Sequence, residues 1–277
     1  MKTLGYYNGR IGELDEMTVP MNDRACYFGD GIYEAALARK QHIFALEEHL
    51  DRFYSSAALL SISVPQTRSE LKDILLDAVQ RVEGENLFVY WQMTRGTAPR
   101  SHEFPPKDIK PNLWITIKPS KEVSMGTPLK LISLEDTRFL HCNIKTLNLL
   151  PNVMAAEQAK QAGCQECVFH RGERVTECAH SNISILKNGV FRTAPTDHLI
   201  LPGITRKHLL SLCKELGIPT DESPFCMKEL MEADEVIVSS TTKFCSGVSE
   251  IDGVPVGGRA KELLSKLQES YLQTFLS

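Results

Sequence analysis

The sequence predicts an α/β fold in two halves, an expectation resting on three observations. Short runs rich in β-branched and aromatic residues, such as 87–94, alternate with stretches whose apolar residues recur every three or four positions, such as Leu50, Phe53, Ala57 and Leu60. A chain of 277 residues, 42% hydrophobic and 24% charged, can bury two modest cores or one large one. The polar stretch Pro119-Ser120-Lys121-Glu122 is the candidate linker, separating an N-terminal α/β domain at 1–119 from a C-terminal domain at 120–277.

Taken in order, residues 5–11 read as a hairpin, and 31–38 as a strand that turns at 39–42 into 43–46. Between them, 22–31 reads as a loop whose two glycines, Gly29 and Gly31, let the backbone bend. A helix is expected over 47–60, with His49 and Arg52 neighbouring each other on a face away from the apolar stripe. Arg52 can point at an anion or simply at solvent. Thr67 and Glu70 form a capping-box pattern opening a second helix to about 82, with Gly84 past its end.

The strand 87–94 runs into Arg95-Gly96-Thr97-Ala98-Pro99-Arg100-Ser101-His102-Glu103-Phe104-Pro105-Pro106, a loop stiffened by three prolines. It is either a proline-rich surface loop or one built to hold a carboxylate or phosphate at two points. A strand at 112–118 ends the first half, and one at 128–135 begins the second. The stretch around Lys145 reads as a turn, followed by a helix over 149–162 with Pro151 in its first turn and Gly163 as its stop. Strands follow at 166–170, 174–177 and 183–186; the stretch 201–206 then opens a helix to 216 closed by Gly217, and a strand follows at 235–238. A hairpin about Asp252-Gly253 and an amphipathic helix over 259–276 complete the chain.

Several function classes are disfavoured. A net charge of −4 argues against a nucleic-acid or membrane-surface partner, and neither G-x-G-x-x-G nor a P-loop occurs. No apolar run approaches the roughly 20 residues of a membrane helix. The opening Met1-Lys2-Thr3-Leu4-Gly5-Tyr6-Tyr7-Asn8-Gly9 has no apolar signal-peptide core, so a cytoplasmic location is expected. Eight scattered cysteines are expected to be free thiols, and Cys164-Gln165-Glu166-Cys167 has no second pair at zinc-ribbon spacing.

Chemistry concentrates on Cys142-Asn143-Ile144-Lys145-Thr146-Leu147-Asn148-Leu149-Leu150, where one lysine sits among uncharged residues. Taken alone, Lys145 is either a surface lysine at a turn or a desolvated amine able to attack a carbonyl and form a Schiff base. Two phosphate-binding patterns lie downstream. Pro202-Gly203-Ile204-Thr205 opens a helix, where N–H groups and the dipole favour an anion. Ser239-Ser240-Thr241-Thr242 brings hydroxyls and amides directly after a strand. With Arg52 and Lys145 they describe a phosphate-bearing aldehyde, pyridoxal 5'-phosphate, whose ring nitrogen needs a carboxylate, and Glu177 is the candidate.

These motifs also carry a family resemblance. Phe28-Gly29-Asp30-Gly31-Ile32-Tyr33-Glu34, Glu48-His49-Leu50-Asp51-Arg52, the 94–104 loop, Ile144-Lys145-Thr146-Leu147-Asn148-Leu149-Leu150, Val175-Thr176-Glu177, Gly203-Ile204-Thr205-Arg206 and Ser240-Thr241-Thr242 resemble, in order, the fold-type IV pyridoxal-phosphate aminotransferases, and among them the D-amino acid (D-alanine) type. The resemblance implies a two-domain fold with the cofactor between a smaller N-terminal and a larger C-terminal domain. It implies that Lys145 bears the Schiff base, that Glu177 meets the pyridine nitrogen, and that Arg52, Ile204, Thr205, Ser240 and Thr241 hold the phosphate. It further implies a homodimer in which Tyr33 and Thr242, with Arg100 and His102 of the partner subunit, bind the substrate, a D-amino acid or 2-oxo acid. Branched-chain L-amino acid aminotransferases and aminodeoxychorismate lyase resemble the chain elsewhere but lack the R-G-T-x-P-R-x-H loop. Where the family often has serines after the glutamate, this chain has Cys178-Ala179-His180-Ser181, placing a histidine that could alter substrate preference.

Overall fold

The computed structural model describes residues 1–121 and 127–276, and the chain divides into two compact units. Unit one comprises Met1–Val123 with Ile144–Asn148, and unit two comprises Ser124–Asn143 with Leu149–Ser277. Of the expected linker, Glu122 lies outside the described residues, while Pro119 closes a strand and the Ser120 N–H donates to Asn86 O at 2.8 Å.

Unit one contains β1 (Leu4–Tyr7), β2 (Arg10–Gly12), α1 (Arg24–Phe28), β3 (Gly31–Arg39), β4 (His42–Ile43), α2 (Leu46–Leu59), α3 (Arg68–Gln80), β5 (Asn86–Thr94) and β6 (Asn112–Pro119). Its strands pair antiparallel in the order β2-β1-β6-β5-β3-β4. The core follows from periodicity. Leu87, Val89, Trp91 and Met93 alternate onto one face of β5, and Leu50, Phe53 and Ala57 of α2 join them in one buried cluster with Leu71, Leu75 and Val79 of α3. Each of these larger side chains contributes about 1.5–3 kcal/mol by leaving water. The Thr67–Glu70 capping box forms as expected, with both reciprocal bonds present.

The stretch expected to be a loop at 22–31 contains helix α1. Asp23 caps it by accepting from the Ala25 N–H at 2.8 Å, and Gly29 ends it in the left-handed region at φ 60°. A lone turn also understates the Lys145 stretch. The Tyr33 N–H donates to Lys145 O at 2.9 Å and the Leu147 N–H to Gly31 O at 3.0 Å, so the stretch lies along β3 as a short antiparallel partner. This pairing explains why five residues distant in sequence belong to unit one. A Cβ on Gly31 would meet Met93 O at 2.5 Å and Leu147 Cδ1 at 2.7 Å, so only glycine lets the stretch approach so closely.

Unit two contains β7 (Leu129–Glu135), α4 (Leu150–Gln161), β8 (Glu166–Arg171), β9 (Arg174–Cys178), β10 (Asn182–Lys187), β11 (Val190–Thr193), α5 (Ile204–Glu215), β12 (Thr220–Asp221), α6 (Met227–Met231), β13 (Glu235–Ser240), β14 (Phe244–Ile251), β15 (Val254–Pro255) and α7 (Lys261–Leu276). The sheet runs β12-β11-β10-β13-β14-β7-β8-β9, with β15 on β14, and mixes parallel with antiparallel pairs. Strand β11, unanticipated, follows Asn188-Gly189, both at positive φ, the two-residue turn that closes a hairpin. Ser239 and Ser240 prove to be the last residues of β13 rather than a turn after it.

Candidate active site

In unit one, Lys145 is half-buried and its Nζ stands 4.2 Å from the centroid of the Tyr33 ring, a cation–π contact. The Lys145 N–H donates to Ser56 Oγ at 3.2 Å. Tyr33 itself stacks on Tyr90 with centroids 5.5 Å apart. One turn of α2 before Ser56 lies Arg52, which is held by a carboxylate rather than pointing to solvent. Arg52 Nε donates to Glu34 Oε1 at 2.7 Å and Nη2 to Oε2 at 2.8 Å, a bidentate pair with Glu34 fully buried. His49 Nδ1 meets the same Oε2 at 2.7 Å.

Burial pushes the Glu34 carboxyl up, but the Arg52 charge and the hydrogen bonds from Arg52 and His49 outweigh it and hold the group well below the usual range. Burial likewise depresses His49, which Glu34 only partly offsets. At neutral pH the cluster is an anionic glutamate facing a cationic arginine and a neutral histidine. Arg52 therefore has its guanidinium fixed in one orientation, a pre-set anchor of the kind an anion site requires.

The stiff loop separates its two arginines. Arg95 is buried: its Nε donates to Asp30 at 2.9 and 3.0 Å, and its other nitrogens to the carbonyls of Leu60 and Ser61 at 2.8 and 3.1 Å. It is a structural pin. Arg100 and His102 are exposed, and both lie against the ring of Phe28, the Arg100 guanidinium carbon at 5.3 Å and the His102 ring at 5.4 Å from its centroid.

In unit two, β9 places Glu177 in the interior, 5% exposed. Arg138 Nη1 donates to Glu177 Oε1 at 2.5 Å, while Asn182 Nδ2 and the Leu201 N–H each donate to Oε2 at 3.0 Å. Arg138 is shared, since its Nε and Nη2 both donate to Asp136 at 2.9 Å. Burial drives the Glu177 carboxyl up, the single Arg138 contact and the Leu201 N–H pull it only part of the way back, and Asp136 adds repulsion, leaving it raised to about 7.

Gly203 is the N-cap of α5 and supplies no side-chain cap bond, so the helix opens on Ile204 and Thr205, whose N–H groups belong to the first turn, where no carbonyl of the helix itself can reach them. A Cβ at Gly203 would meet Asn182 Oδ1 at 1.9 Å, tying this glycine to the residue that also holds Glu177. Thr205 Oγ1 lies 3.1 Å from Tyr271 Oη. Ser240 Oγ accepts from the Lys243 N–H at 3.1 Å, Thr241 is half-buried beside it, and Thr242 is exposed. His180 is exposed with Nδ1 3.0 Å from Glu166 Oε2.

The fold brings Lys145 together with Tyr33, and Arg100 with His102; it sets Glu177 and the start of α5 on a shared neighbour, Asn182. The donor set fits pyridoxal 5'-phosphate. A lysine amine suits its aldehyde, a helix first turn and a fixed arginine suit its phosphate, and a buried carboxylate suits its ring nitrogen. Sequence reasoning passed over two residues that hold these groups, Glu34 and Arg138. Glu34 sits on β3, where alternation alone marks an inward position, but nothing in the local pattern announces Arg138. Among the described residues the eight cysteines are free and no cluster suited to a metal ion occurs, and no helix is long and apolar enough to cross a membrane.

The amino-transferase class IV family model matches residues 31–251, so the chain belongs to that family. The chain is 40% identical over 275 residues to the D-alanine aminotransferase of Listeria monocytogenes serotype 4b (strain F2365), covering 96% of this chain and 94% of the relative. It is 38% identical over 276 residues to that of Bacillus licheniformis, covering 99% and 96%. Among solved structures it resembles a T.th. branched-chain amino acid aminotransferase with pyridoxamine 5'-phosphate at TM-score 0.90 and 23% identity, over 98% of this chain and 94% of that one. The Escherichia coli branched-chain enzyme gives TM-score 0.87 at 23% identity, over 99% and 95%. These structural likenesses concern the fold.

Proposed function

We propose that this chain is a pyridoxal-phosphate-dependent D-amino acid aminotransferase of the D-alanine type. It takes the amino group from a D-amino acid, leaving a 2-oxo acid, and passes it to a second 2-oxo acid such as 2-oxoglutarate or pyruvate. The observation that carries the reading is the match to D-alanine aminotransferases at 40% identity along 96% of the chain. The loop Arg95-Gly96-Thr97-Ala98-Pro99-Arg100-Ser101-His102 supports it against the branched-chain L-amino acid and aminodeoxychorismate alternatives.

In this reading Lys145 is the covalent anchor of the cofactor. Arg52, Ile204, Thr205, Ser240 and Thr241 hold its phosphate, and Glu177 faces its ring nitrogen. When bound, the cofactor supplies an electron sink for the carbanion left at the substrate α-carbon. With the cofactor held there, Lys145 Nζ as a free amine would take the substrate's α-proton as general base and give it back as general acid. A cation opposite Glu177 favours its carboxylate form, and Arg138 and Asn182 hold that carboxylate in place. Tyr33, with Arg100 and His102 of the partner subunit in a homodimer, binds the α-carboxylate, and Thr242 adds a hydroxyl. Free cysteines fit the reducing cytoplasm as its location.

A panel of D- and L-amino acids with 2-oxoglutarate and pyruvate tests the reading. Turnover of D-alanine is the expected result, and turnover of L-leucine alone would overturn it. Lys145→Ala should lose both turnover and the visible absorbance of the lysine-bound cofactor.

A further inference from the structure

We infer that Phe28 is a positioning residue for substrate binding: its ring is the platform that orders Arg100 and His102, and it thereby sets how tightly the substrate carboxylate is held. The inference rests on the reading of Arg100 and His102 as the carboxylate-binding pair. Both residues are exposed on a loop, where a long cationic side chain ordinarily samples many rotamers and must lose that freedom to bind. Here both lie against one aromatic ring, at 5.3 and 5.4 Å from its centroid. An arginine against an aromatic ring loses part of its rotamer freedom before substrate arrives.

The platform is itself anchored. Phe28 ends helix α1, which is closed by Asp23 at one end and by the left-handed Gly29 at the other. The buried Arg24 contacts the same ring at 4.9 Å and donates from Nη1 to the carbonyl of Ser101, the residue between Arg100 and His102, at 2.8 Å. Asp30 accepts from Arg24 Nε at 2.7 Å and from Arg95 Nε at 2.9 Å, so one carboxylate balances the two cations that pin the loop's backbone. Two guanidinium groups thus share one ring, whose quadrupole attracts cations as an aliphatic side chain does not.

The test is steady-state kinetics on the cofactor-loaded enzyme with D-alanine as the varied substrate, using Phe28→Leu, Phe28→Tyr and Arg100→Ala. Phe28→Leu should raise KM about five- to tenfold with kcat within about twofold, as expected for lost ordering of two exposed contacts. Phe28→Tyr, which keeps the ring, should restore both constants. The His102 imidazole proton resonance should lose its ring-current shift in Phe28→Leu and regain it in Phe28→Tyr, a signature that general loss of stability would not give. If Phe28→Leu yields no folded enzyme, Phe28→Met supplies the same volume without the aromatic face. A KM unchanged in Phe28→Leu while Arg100→Ala raises it overturns this inference alone. A KM unchanged in Arg100→Ala overturns the carboxylate reading and this inference with it.

Discussion

Two buried glutamates, each facing an arginine, lie in different units and behave in opposite ways. Glu34 receives both arms of Arg52 and a ring nitrogen of His49, and its carboxyl is held far below the usual range. Glu177 receives one arm of Arg138, whose other nitrogens are engaged by Asp136, and it is raised to about 7. Burial is the strongest influence against both charges, and what separates them is how much cation each has to itself. A carboxylate gripped by a guanidinium of its own stays charged, whereas one that shares its cation is charged only when a further positive group comes near.

The sharpest way to break this contrast is to remove Glu34. Glu34→Ala takes away the carboxylate that Arg52 and His49 share, and should destabilise the protein by about 3–5 kcal/mol in urea unfolding at pH 7. A loss under about 1 kcal/mol would mean the pair carries little stability. Glu177→Gln should cost less, about 1–2 kcal/mol, because the amide can still accept from Leu201 or Asn182 while Arg138 keeps Asp136. Equal losses in the two variants would erase the distinction.

The pH dependence of the cofactor-free protein should separate them further. Glu177, raised from its ordinary 4.5 to about 7, binds its proton more tightly when folded, so its contribution is present below 4.5 and is lost as pH rises through 7. Glu34, depressed from 4.5, contributes above that pH and loses its contribution as pH falls below it. Unfolding midpoints across pH should show Glu177→Gln flattening the decline between 4.5 and 7, and Glu34→Ala flattening the acid limb. The smallest effect belongs to a third buried carboxylate. Glu166 is already satisfied by the N–H groups of Cys167 and Ala179 and by Ser181 Oγ, so His180→Ala should change stability by under about 1 kcal/mol. A larger loss would show that the exposed histidine matters to Glu166.

Much of the fold was legible because its signals are local. The capping box at Thr67, the Asp252-Gly253 turn and the alternation along β5 each depend on residues within a few positions of one another. Helix α1 was missed because five residues give too short a period to read, and its Asp23 cap resembles the start of any turn. Strand β11 was missed although Asn188-Gly189 announces it. Arg95 and Arg100 looked alike in one loop, and only packing made the first a buried pin and left the second exposed.

By itself the sequence determined the family and most of the longer elements, because motif spacing and local periodicity are properties of the chain. The tertiary structure alone decided what surrounds each group. It laid the Lys145 stretch along β3, locked Arg52 onto Glu34 from another element, made Arg138 serve two carboxylates at once, and gathered Arg100 and His102 onto Phe28. Charge state and orientation depend on burial and on partners distant in sequence, and those exist only once the chain has folded.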